Sequence, residues 1–495
     1  MELAHVLASL GAGDPAPVPR QQRLYALLKA AILDGTLTPG QALPASRQLA
    51  ADYGIARNTV LHAYQLLQAE GFVAADRGGT RVATLPLAAA LPPGAALRHG
   101  EPPGLSRRAG RLQLRRGEAI LPFAPGVGDL NAFPWATWAR HLQRAWGEVS
   151  ARRLAYAPAG GEPALRAALA GYLRARRGVV CEPAQVFVVG GAQLAIDACA
   201  RLLADEGDVA WVENPCYPAA RAAMQTAGLQ LLHVPVDGEG MAPEVALWQQ
   251  HPPRLLYLTP SHQYPLGSVL SLERRLDFLR RIEASRGWIV EDDYDSEFGH
   301  GRPGGLPPAI QGLRAEAPVV YVGTFSKLLY PGLRLAYMVV PRWLAGSFGD
   351  RLDSLYRSGQ AVEQRALAGF LDSGGLTRHQ RTMAPIYRAR QAVLRRELAA
   401  AFGPSASILG GAAGLHLTLL LPDGPADVEI VRQAAELGVT ARPLSEYRAG
   451  GGGPPQNGLV LGYGMADEKR IPELVARLAT ARQQALDALH HAPPQ

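Results

Sequence analysis

Residues 84–120 of this chain of 495 residues show no hydrophobic periodicity and are rich in Pro, Ala, Gly and Arg. A segment of this kind has no apolar face to bury, so we predict a largely irregular connector. The chain is also too long for one ordinary hydrophobic core. The sequence therefore predicts two domains of unequal size, at residues 15–83 and 121–485, joined by a linker at residues 84–120.

The composition argues against several classes of protein. A formal net charge of +7 is modest and is weak evidence for a nucleic-acid partner by itself. Cys181, Cys199 and Cys216 lack metal-ligand spacing and do not make a disulfide framework. Neither a basic-then-apolar leader nor an apolar run of about eighteen residues is seen, so we expect no signal peptide and no membrane span. A reducing cytoplasm is the expected location.

The first domain contains two helical patterns and a hairpin pattern. Apolar residues recur at helical spacing in "RQQRLYALLKAAILDGTL", and helix, tight turn and helix are predicted for "LPASRQLAADYGIARNTVLHAYQLLQAEGFV". Ser46 is predicted to cap the first helix of this pair, and Gly54 suits the turn. Two short strands flank a Gly-containing turn in "FVAADRGGTRVAT". A helix-turn-helix followed by a hairpin is the winged form of a DNA-reading unit.

The residues predicted to contact double-stranded DNA lie at two places in this unit. Arg57, Asn58 and Thr59 fall on the first turn of the second helix, the end that enters the major groove. Arginine pairs with guanine, and short polar groups reach phosphates. Arg47 is predicted to reach a phosphate beside the first helix of the pair.

The hairpin and the linker add further basic residues. Arg77 and Arg81 flank the two glycines of the hairpin tip and suit a contact with the DNA backbone or the minor groove. The linker cluster either contacts phosphates or is simply solvated, and consists of Arg107, Arg108, Arg111, Arg115 and Arg116. Ordinary surface arginines on a small helical domain are the alternative to the predicted DNA contacts. Over residues 20–83, however, the sequence closely resembles the GntR-type winged helix.

From about residue 121, strand and helix patterns alternate. Short apolar strand patterns are seen in "QVFVVGG", "DVAWVENPCYP", "RLLYLTPSHQYPLG", "WIVEDDYDSEF" and "VVYVGTFSK", with helical periodicity between them. Alternation of this kind predicts an α/β domain with a mostly parallel sheet. Ligands of such domains bind at the carboxyl ends of the strands.

Chemically useful residues follow these strands. A helix N-terminus at Ala192 and Gln193 favours an anion such as a phosphate. Further along the chain, other strand patterns end at further polar or aromatic residues. They are an aromatic ring at Tyr217, an acid at Asp292, a phenol at Tyr294, a serine and a lysine at Ser326 and Lys327, and an arginine at Arg334. These are the parts needed to hold pyridoxal 5'-phosphate. The lysine amine condenses with the aldehyde, and the acid keeps the ring nitrogen protonated, so that the ring acts as an electron sink.

The stretches "TPSHQYPLGSVLSLERRLDFL", "EDDYDSEF" and "GTFSKLLYPGLRLAY" resemble the fold-type I aminotransferases, over residues 121 to about 485. The order of winged helix, linker and aminotransferase-like domain resembles the MocR subfamily of GntR-type regulators, which includes GabR and PdxR. The resemblance implies a smaller C-terminal α+β subdomain. It also implies that Lys327 carries the cofactor, Asp292 meets the ring nitrogen, Tyr294 meets the ring hydroxyl and Tyr217 stacks on the ring. The implied phosphate ligands are Ala192, Gln193, Ser326 and Arg334.

The stretch "YAPAGGEPALR" resembles the segment in which a tyrosine of the partner subunit reaches the phosphate. This resemblance assigns Tyr156 to the cofactor and implies a homodimer. The resemblance to the family implies that this dimer is head-to-tail, with each winged helix crossing onto the partner subunit.

The sequence departs from the aminotransferases at the substrate side. Their C-terminal arginine, which grips the substrate carboxylate, is missing from "NGLVLGYG", where Leu459 or Val460 aligns with it. Arg442 is a candidate substitute. The aminotransferase asparagine at the ring hydroxyl also has no counterpart, and either His262 or Tyr264 is a neighbouring candidate, with His262 retained as a cofactor residue.

These losses weaken the case for efficient transamination and favour a regulator that responds to pyridoxal phosphate. A PdxR-like control of vitamin B6 metabolism is one expectation. A GabR-like regulator, which senses an amine or amino acid that condenses with the cofactor, is an alternative, and an active aminotransferase is another. No metal site and no membrane partner are expected.

Overall fold

The computed structural model of the chain describes residues 19–76, 78–84, 104–106, 108–111, 122–151, 155, 160–299, 306–314, 316–357, 359–449 and 457–491. The chain divides into two compact units, residues 1–104 and residues 105–495. The finer boundaries of the three predicted segments stay a prediction. Within the described part of the chain, no helix has the length and apolar character needed to cross a bilayer.

The first unit is a winged helix. Its elements are α1 (Arg20–Leu33), α2 (Ser46–Asp52), α3 (Arg57–Ala69), β1 (Val73–Asp76) and β2 (Gly79–Val82). The two strands form an antiparallel hairpin in which Val73 lies opposite Val82. The apolar positions of the helical patterns, among them Leu28 and Leu67, are fully buried in one core. The predicted order of elements is therefore confirmed for this unit.

The predicted cap at Ser46 is wrong. Ser46 is the first residue of α2, and Ala45 is the N-cap, without a side-chain hydrogen bond. A hydroxyl caps a helix only from the residue before the first helical position, since that residue has extended backbone angles. Residue 45 has these extended angles, and it is an alanine.

The second unit is built on an eight-stranded sheet. Its strands, in spatial order, are β3 (Val186–Val189), β10 (Ala336–Val339), β9 (Val319–Thr324), β8 (Trp288–Asp293), β7 (Leu255–Leu258), β4 (Val209–Asn214), β5 (Gln230–Asp237) and β6 (Gly240–Met241). The five strands from β9 to β5 are parallel. Strand β10 is antiparallel to both of its neighbours, and β6 is antiparallel to β5. The mostly parallel sheet predicted from the sequence is confirmed.

Helices cover this sheet and continue into a smaller C-terminal part. They are α4 (Trp135–Gly147), α5 (Pro163–Arg177), α6 (Ala192–Leu203), α7 (Pro218–Thr226), α8 (Val245–Gln250), α9 (Leu272–Ser285), α10 (Ile310–Leu313), α11 (Arg342–Leu355), α12 (Ala361–Asp372), α13 (Gly375–Phe402), α14 (Asp427–Glu436) and α15 (Ile471–His491). The smaller part holds an antiparallel sheet with the order β11 (Ser407–Leu409), β12 (His416–Leu420), β14 (Gly458–Gly462) and β13 (Arg442–Pro443). This small sheet and its helices are the predicted α+β subdomain.

The parallel strands bring distant parts of the sequence to one edge of the large sheet. Strands β4, β7, β8 and β9 are neighbours and run in the same direction, so the loops after them open on the same side. These strands are almost wholly buried, as expected for a parallel sheet that is covered on both faces. The chemistry-bearing residues that follow the strands therefore converge.

Candidate functional site

The winged helix presents the predicted DNA contacts on its surface. Arg57 and Asn58 are exposed and Thr59 is half-buried, all on the first turn of α3. Arg47 is exposed on α2. The guanidinium of Arg81 donates a hydrogen bond of 3.1 Å to the carbonyl of Gly40, which fixes it beside the hairpin. The predicted contact at Arg77 lies outside the described residues.

At the carboxyl edge of the large sheet lies a cavity of about 240 Å³. It brings together most of the residues that were predicted to hold the cofactor. The lining residues from the prediction are Ala192, Gln193, Tyr217, Asp292, Tyr294, Ser326, Lys327 and Arg334. Arg442 and Tyr264 also line the cavity.

Strand alternation explains why Asp292 faces the cavity. Its neighbours Glu291 and Asp293 point to the other face of β8, as the period of two requires. There Glu291 accepts from the backbone N–H groups of Ile310 and Gln311, at 2.8 and 3.0 Å. Asp293 accepts from Arg177 at 2.7 Å. Of the three acids in "EDD", the middle one is therefore the acid that faces the cavity.

Asp292 is buried, with an exposed fraction of 4%. One carboxylate oxygen, Oδ2, accepts a hydrogen bond of 2.7 Å from the hydroxyl of Tyr257 on the adjacent strand. The other, Oδ1, is buried without a hydrogen-bond partner. Burial, and to a smaller extent the nearby Asp293, raise the pKa of Asp292 to about 7. A buried acid of this kind gains from a cationic N–H donor.

Lys327 lies three residues after the end of β9 and is half-buried in the cavity. The segment before α4 passes close to its amine, since a Cβ atom added at Gly126 would lie 2.6 Å from Nζ of Lys327. Gly126 also has a φ of +79°, which favours glycine. A glycine at this position therefore leaves space for the lysine amine.

An anion site lies at the start of α6. The helix begins at Ala192, and the backbone N–H groups of its first turn have no partner within the helix. The guanidinium of Arg334 lies against this turn, because a Cβ atom added at Gly191 would be 2.7 Å from an Nη atom of Arg334. Ser326 lies next to this group of residues in the cavity wall, hydrogen-bonded to Thr324. Helix dipole and guanidinium together favour a phosphate.

Tyrosine rings occupy two further parts of the wall. The rings of Tyr217 and Tyr264 meet edge to face, with centroids 5.9 Å apart. The hydroxyls of Tyr264 and Tyr447 are 3.2 Å apart. Arg442 comes from strand β13, where it lies directly opposite Val460 of β14. The adjacent strand thus supplies an arginine at the register where β14 has none.

Among the described residues, one predicted cofactor residue, His262, does not line the cavity. His262 is 1% exposed and contacts Tyr294 from behind, with 3.0 Å between its Nδ1 and the tyrosine hydroxyl. Of the two candidates that the sequence left open, Tyr264 is the one that lines the cavity. The predicted role of Tyr156 lies outside the described residues.

Sequence reasoning did not single out several residues of the site. The missed residues are Gly126, Tyr257, Thr259, Thr324 and Tyr447, all of which line the cavity. A hydroxyl inside the apolar run of β7 was the available signal for Tyr257, because a buried hydroxyl requires a partner. The other four gave no local signal, since their place depends on how separate loops meet.

Two family models match the chain. The model "Bacterial regulatory proteins, gntR family" matches residues 20–82, and the model "Aminotransferase class I and II" matches residues 126–478. The chain is 40% identical over 476 residues to the "Probable rhizopine catabolism regulatory protein MocR" of Rhizobium meliloti, which covers 94% of each chain. The chain belongs to the MocR-type GntR regulators.

The MocR-type regulator is also similar to a second curated relative and to a solved aminotransferase structure. It is 31% identical to the "HTH-type pyridoxine biosynthesis transcriptional regulator PdxR" of Corynebacterium glutamicum, over 97% of this chain and 99% of the relative. The solved structure of LysN, the alpha-aminoadipate aminotransferase of Thermus thermophilus, matches with a TM-score of 0.69 and 27% identity. That match covers 78% of this chain and 98% of LysN, so it includes the large unit and not the whole regulator.

The regulator therefore combines a DNA-binding winged helix with a fold-type I aminotransferase domain, and pyridoxal phosphate is the cofactor of that domain. The site fits this group. The unpaired Oδ1 of Asp292 suits the ring N–H, and the start of α6 with Arg334 suits the phosphate. When bound, the cofactor supplies an aldehyde that reacts with an amine and a ring that withdraws electrons.

Proposed function

We propose that the regulator uses pyridoxal phosphate as a signal, and that the state of the cavity sets its affinity for operator DNA. The observation that supports this proposal is a cavity that brings Lys327 and Asp292 together, on the same chain as a winged helix. A ligand shifts the balance between two arrangements only if it binds one of them more tightly. In this proposal, one of the two arrangements holds the cofactor at Lys327 more tightly than the other does.

The test is DNA binding by the full-length protein, titrated with pyridoxal phosphate on its own upstream DNA. We expect the cofactor to change the affinity or the footprint of the wild type. Lys327→Ala is expected to lose this response, while Lys469→Ala, which changes an exposed lysine, keeps it. Specific DNA binding that ignores the cofactor in the wild type would contradict the proposal, and would leave the cofactor as a platform for a second ligand.

An active aminotransferase is the second candidate, and the intact set of Lys327, Asp292 and Tyr294 in the cavity favours it. Steady turnover of an amino donor and a keto acid at an ordinary rate of about 1 s⁻¹ or more would support it. A reaction that stops after one half-turnover would support the sensor.

The effector that we propose beside the cofactor is a primary amine with one anionic group. Lys327 and Asp292 serve the ring, and Arg334 serves the phosphate. Among the described lining residues, Arg442 is the third cation, and Tyr264 and Tyr447 add phenols to the same cavity. A guanidinium pairs with a carboxylate or a sulfonate, and phenols add hydrogen bonds.

Matched pairs of amines test this effector class. The change in visible absorbance of the bound cofactor is measured with β-alanine and with propylamine. We expect the wild type to bind β-alanine, which carries a carboxylate, with about 10–100-fold higher affinity than propylamine. This is the range for one charged hydrogen-bonded pair. Arg442→Gln should remove this preference while leaving the affinity for the cofactor unchanged. A preference that survives Arg442→Gln would exclude Arg442 as the anchor.

A head-to-tail homodimer in the cytoplasm completes the proposal. The resemblance of the Tyr156 segment to a cross-subunit phosphate contact supports the dimer, and an operator-binding role supports the location. The mass in solution, measured by light scattering, tests the dimer. A monomer that binds the cofactor with full affinity would contradict a contribution of Tyr156 from a partner.

Control of vitamin B6 metabolism stays a prediction, to be tested by which promoters the protein binds.

A further inference from the structure

Next to the cavity lies a buried cluster of His262, Asp295 and His416, which are 1%, 2% and 2% exposed. Their potential ligand atoms all lie within 4.8 Å of one another. His262 follows β7 and Asp295 follows β8 of the large sheet, whereas His416 begins β12 of the small sheet. The cluster therefore joins the two sheets behind the cavity residue Tyr294.

The hydrogen bonds of this cluster assign its protons. Nδ1 of His262 is 3.0 Å from Oδ1 of Asp295 and 3.0 Å from the hydroxyl of Tyr294. Because a carboxylate only accepts, Nδ1 carries the proton. The hydroxyl of Tyr294 in turn donates to the backbone carbonyl of His262, at 2.8 Å. One residue thus contacts the Tyr294 oxygen through both its ring and its backbone.

The other ring nitrogen of His262 indicates that the ring is neutral. Nε2 is buried and has no hydrogen-bond partner. A second proton there would place a cation with an unpaired N–H in the interior, and a buried donor without a partner is destabilising. The ring therefore acts as a fixed single donor from Nδ1.

The small sheet holds this arrangement from the opposite side. The backbone N–H of Leu415 donates to Oδ2 of Asp295 at 3.2 Å. A Cβ atom added at Gly414 would lie 2.3 Å from both Oδ2 of Asp295 and Nδ1 of His262. The direct hydrogen bond between His262 and Asp295 and this close backbone contact hold the two side chains together.

We propose that His262, held by Asp295, is a positioning residue that sets the Tyr294 hydroxyl toward the ring oxygen of the cofactor. The pair fixes where the tyrosine oxygen lies while its proton stays able to turn from the His262 carbonyl into the cavity. The proposal concerns residues of this chain that lie behind the cavity wall and do not touch the cofactor.

Other ionisable groups also face Tyr294 and His262. Burial lowers the pKa of His416 to about 3, so this histidine stays neutral at working pH. Burial raises the pKa of Glu213 and of Asp292 to about 7. The groups that face the pair from the surrounding elements are Glu213, Tyr264, Asp292, Asp295, Lys327 and His416. A pH profile of the wild type therefore contains several groups, and the difference between matched variants isolates the pair.

The test is a pH titration of the visible absorbance of the full-length protein with pyridoxal phosphate bound. We expect His262→Leu to raise the midpoint by about one pH unit, the size expected for the loss of one hydrogen bond to the ring oxygen. His262→Asn should return the midpoint most of the way to the wild-type value, because its amide N–H lies near the position of Nδ1. His416→Gln, a buried neighbour whose Nε2 lies 3.0 Å from the carbonyl of Pro265, should leave the midpoint unchanged.

A double-mutant cycle separates positioning from a general loss of structure. In a Tyr294→Phe background, His262→Leu should shift the midpoint no further, since the hydroxyl that it positions is gone. An equal shift in that background, or no shift in His262→Leu alone, would overturn the proposal. If His262→Leu does not fold, Asp295→Asn gives the same comparison, with the same expected direction and a smaller shift.

Discussion

The two units of this regulator place their predicted binding residues in opposite environments. Arg47, Arg57 and Asn58 lie exposed on the winged helix, where water and salt surround them. In the large unit Asp292 is 4% exposed, and its supporting residue Tyr257 is fully buried. Charges on a surface interact weakly and are screened by salt, whereas buried charges shift pKa values and require partners. Changes in the winged helix are therefore expected to alter DNA affinity alone, and changes in the cavity to alter stability as well.

The largest expected effect is on covalent attachment at Lys327. The sequence has three lysines, Lys29, Lys327 and Lys469, and the last two differ in burial. After reduction with borohydride, peptide mapping should find the cofactor on Lys327. Lys327→Ala should abolish the attachment, and Lys469→Ala should leave it intact. Equal labelling of Lys469 would show that reduction traps any accessible amine, and would remove the contrast between the interior and the surface.

The next effect is the pH dependence of the cofactor-free protein. The pKa of Asp292 is raised by burial from 3.8 to about 7, so the folded protein binds its proton more tightly than the unfolded chain does. The stability contributed by the protonated acid is complete below pH 4 and is lost as the pH rises toward 7. Asp292→Asn removes this titration, so its stability relative to the wild type should rise by about 2–4 kcal/mol between pH 4 and pH 8.

Denaturant unfolding at several pH values measures this difference. Asp237 provides the matched control, because it is about half exposed in an ion pair with Arg274 and its pKa is lowered. Asp237→Asn should show the opposite trend and a much smaller change. If the difference in unfolding free energy between Asp292→Asn and the wild type did not change with pH, water would reach the Asp292 carboxylate of the wild type. The contrast between the buried and the exposed residues of the two units would then not hold.

A third prediction concerns Arg57 on the first turn of α3. If its guanidinium reads a guanine, Arg57→Ala should weaken operator binding by about 1–3 kcal/mol, and should weaken binding to random DNA less. The midpoint of unfolding should not change, because the side chain is exposed. Fluorescence anisotropy with operator and random duplexes measures both affinities. An equal loss on both duplexes would reassign Arg57 to a phosphate.

The smallest expected effect is at Arg47. Its predicted phosphate contact carries no sequence information, so Arg47→Ala should weaken binding to operator and random DNA alike. The slope of log affinity against log salt should fall by about one. Arg81→Ala is the variant to compare with Arg47→Ala, because the guanidinium of Arg81 already donates a hydrogen bond to the carbonyl of Gly40 within the protein. An unchanged salt slope in Arg47→Ala would remove this arginine from the interface.

Several site residues could be predicted from the sequence because each stands at or shortly after the end of a strand pattern. Lys327 and Asp292 are examples, since parallel strands carry their carboxyl ends to one edge. Tyr257 and Gly126 could not be found in this way. Tyr257 lies 35 residues from Asp292, and only the pairing of β7 with β8 places the two side chains together. His262 was predicted at the cofactor, and the structure places it behind Tyr294 instead.

The amino-acid sequence by itself determined the two units, the winged helix, the mostly parallel sheet and the order of the cofactor residues. Those features depend on local periodicity and on residue types next to strand ends. Only the tertiary structure decided that Arg442 of β13 stands opposite Val460, and that the Asp295–His262 pair supports Tyr294. These contacts join elements far apart in the chain, and their partners are set by strand register and by close packing between the two sheets.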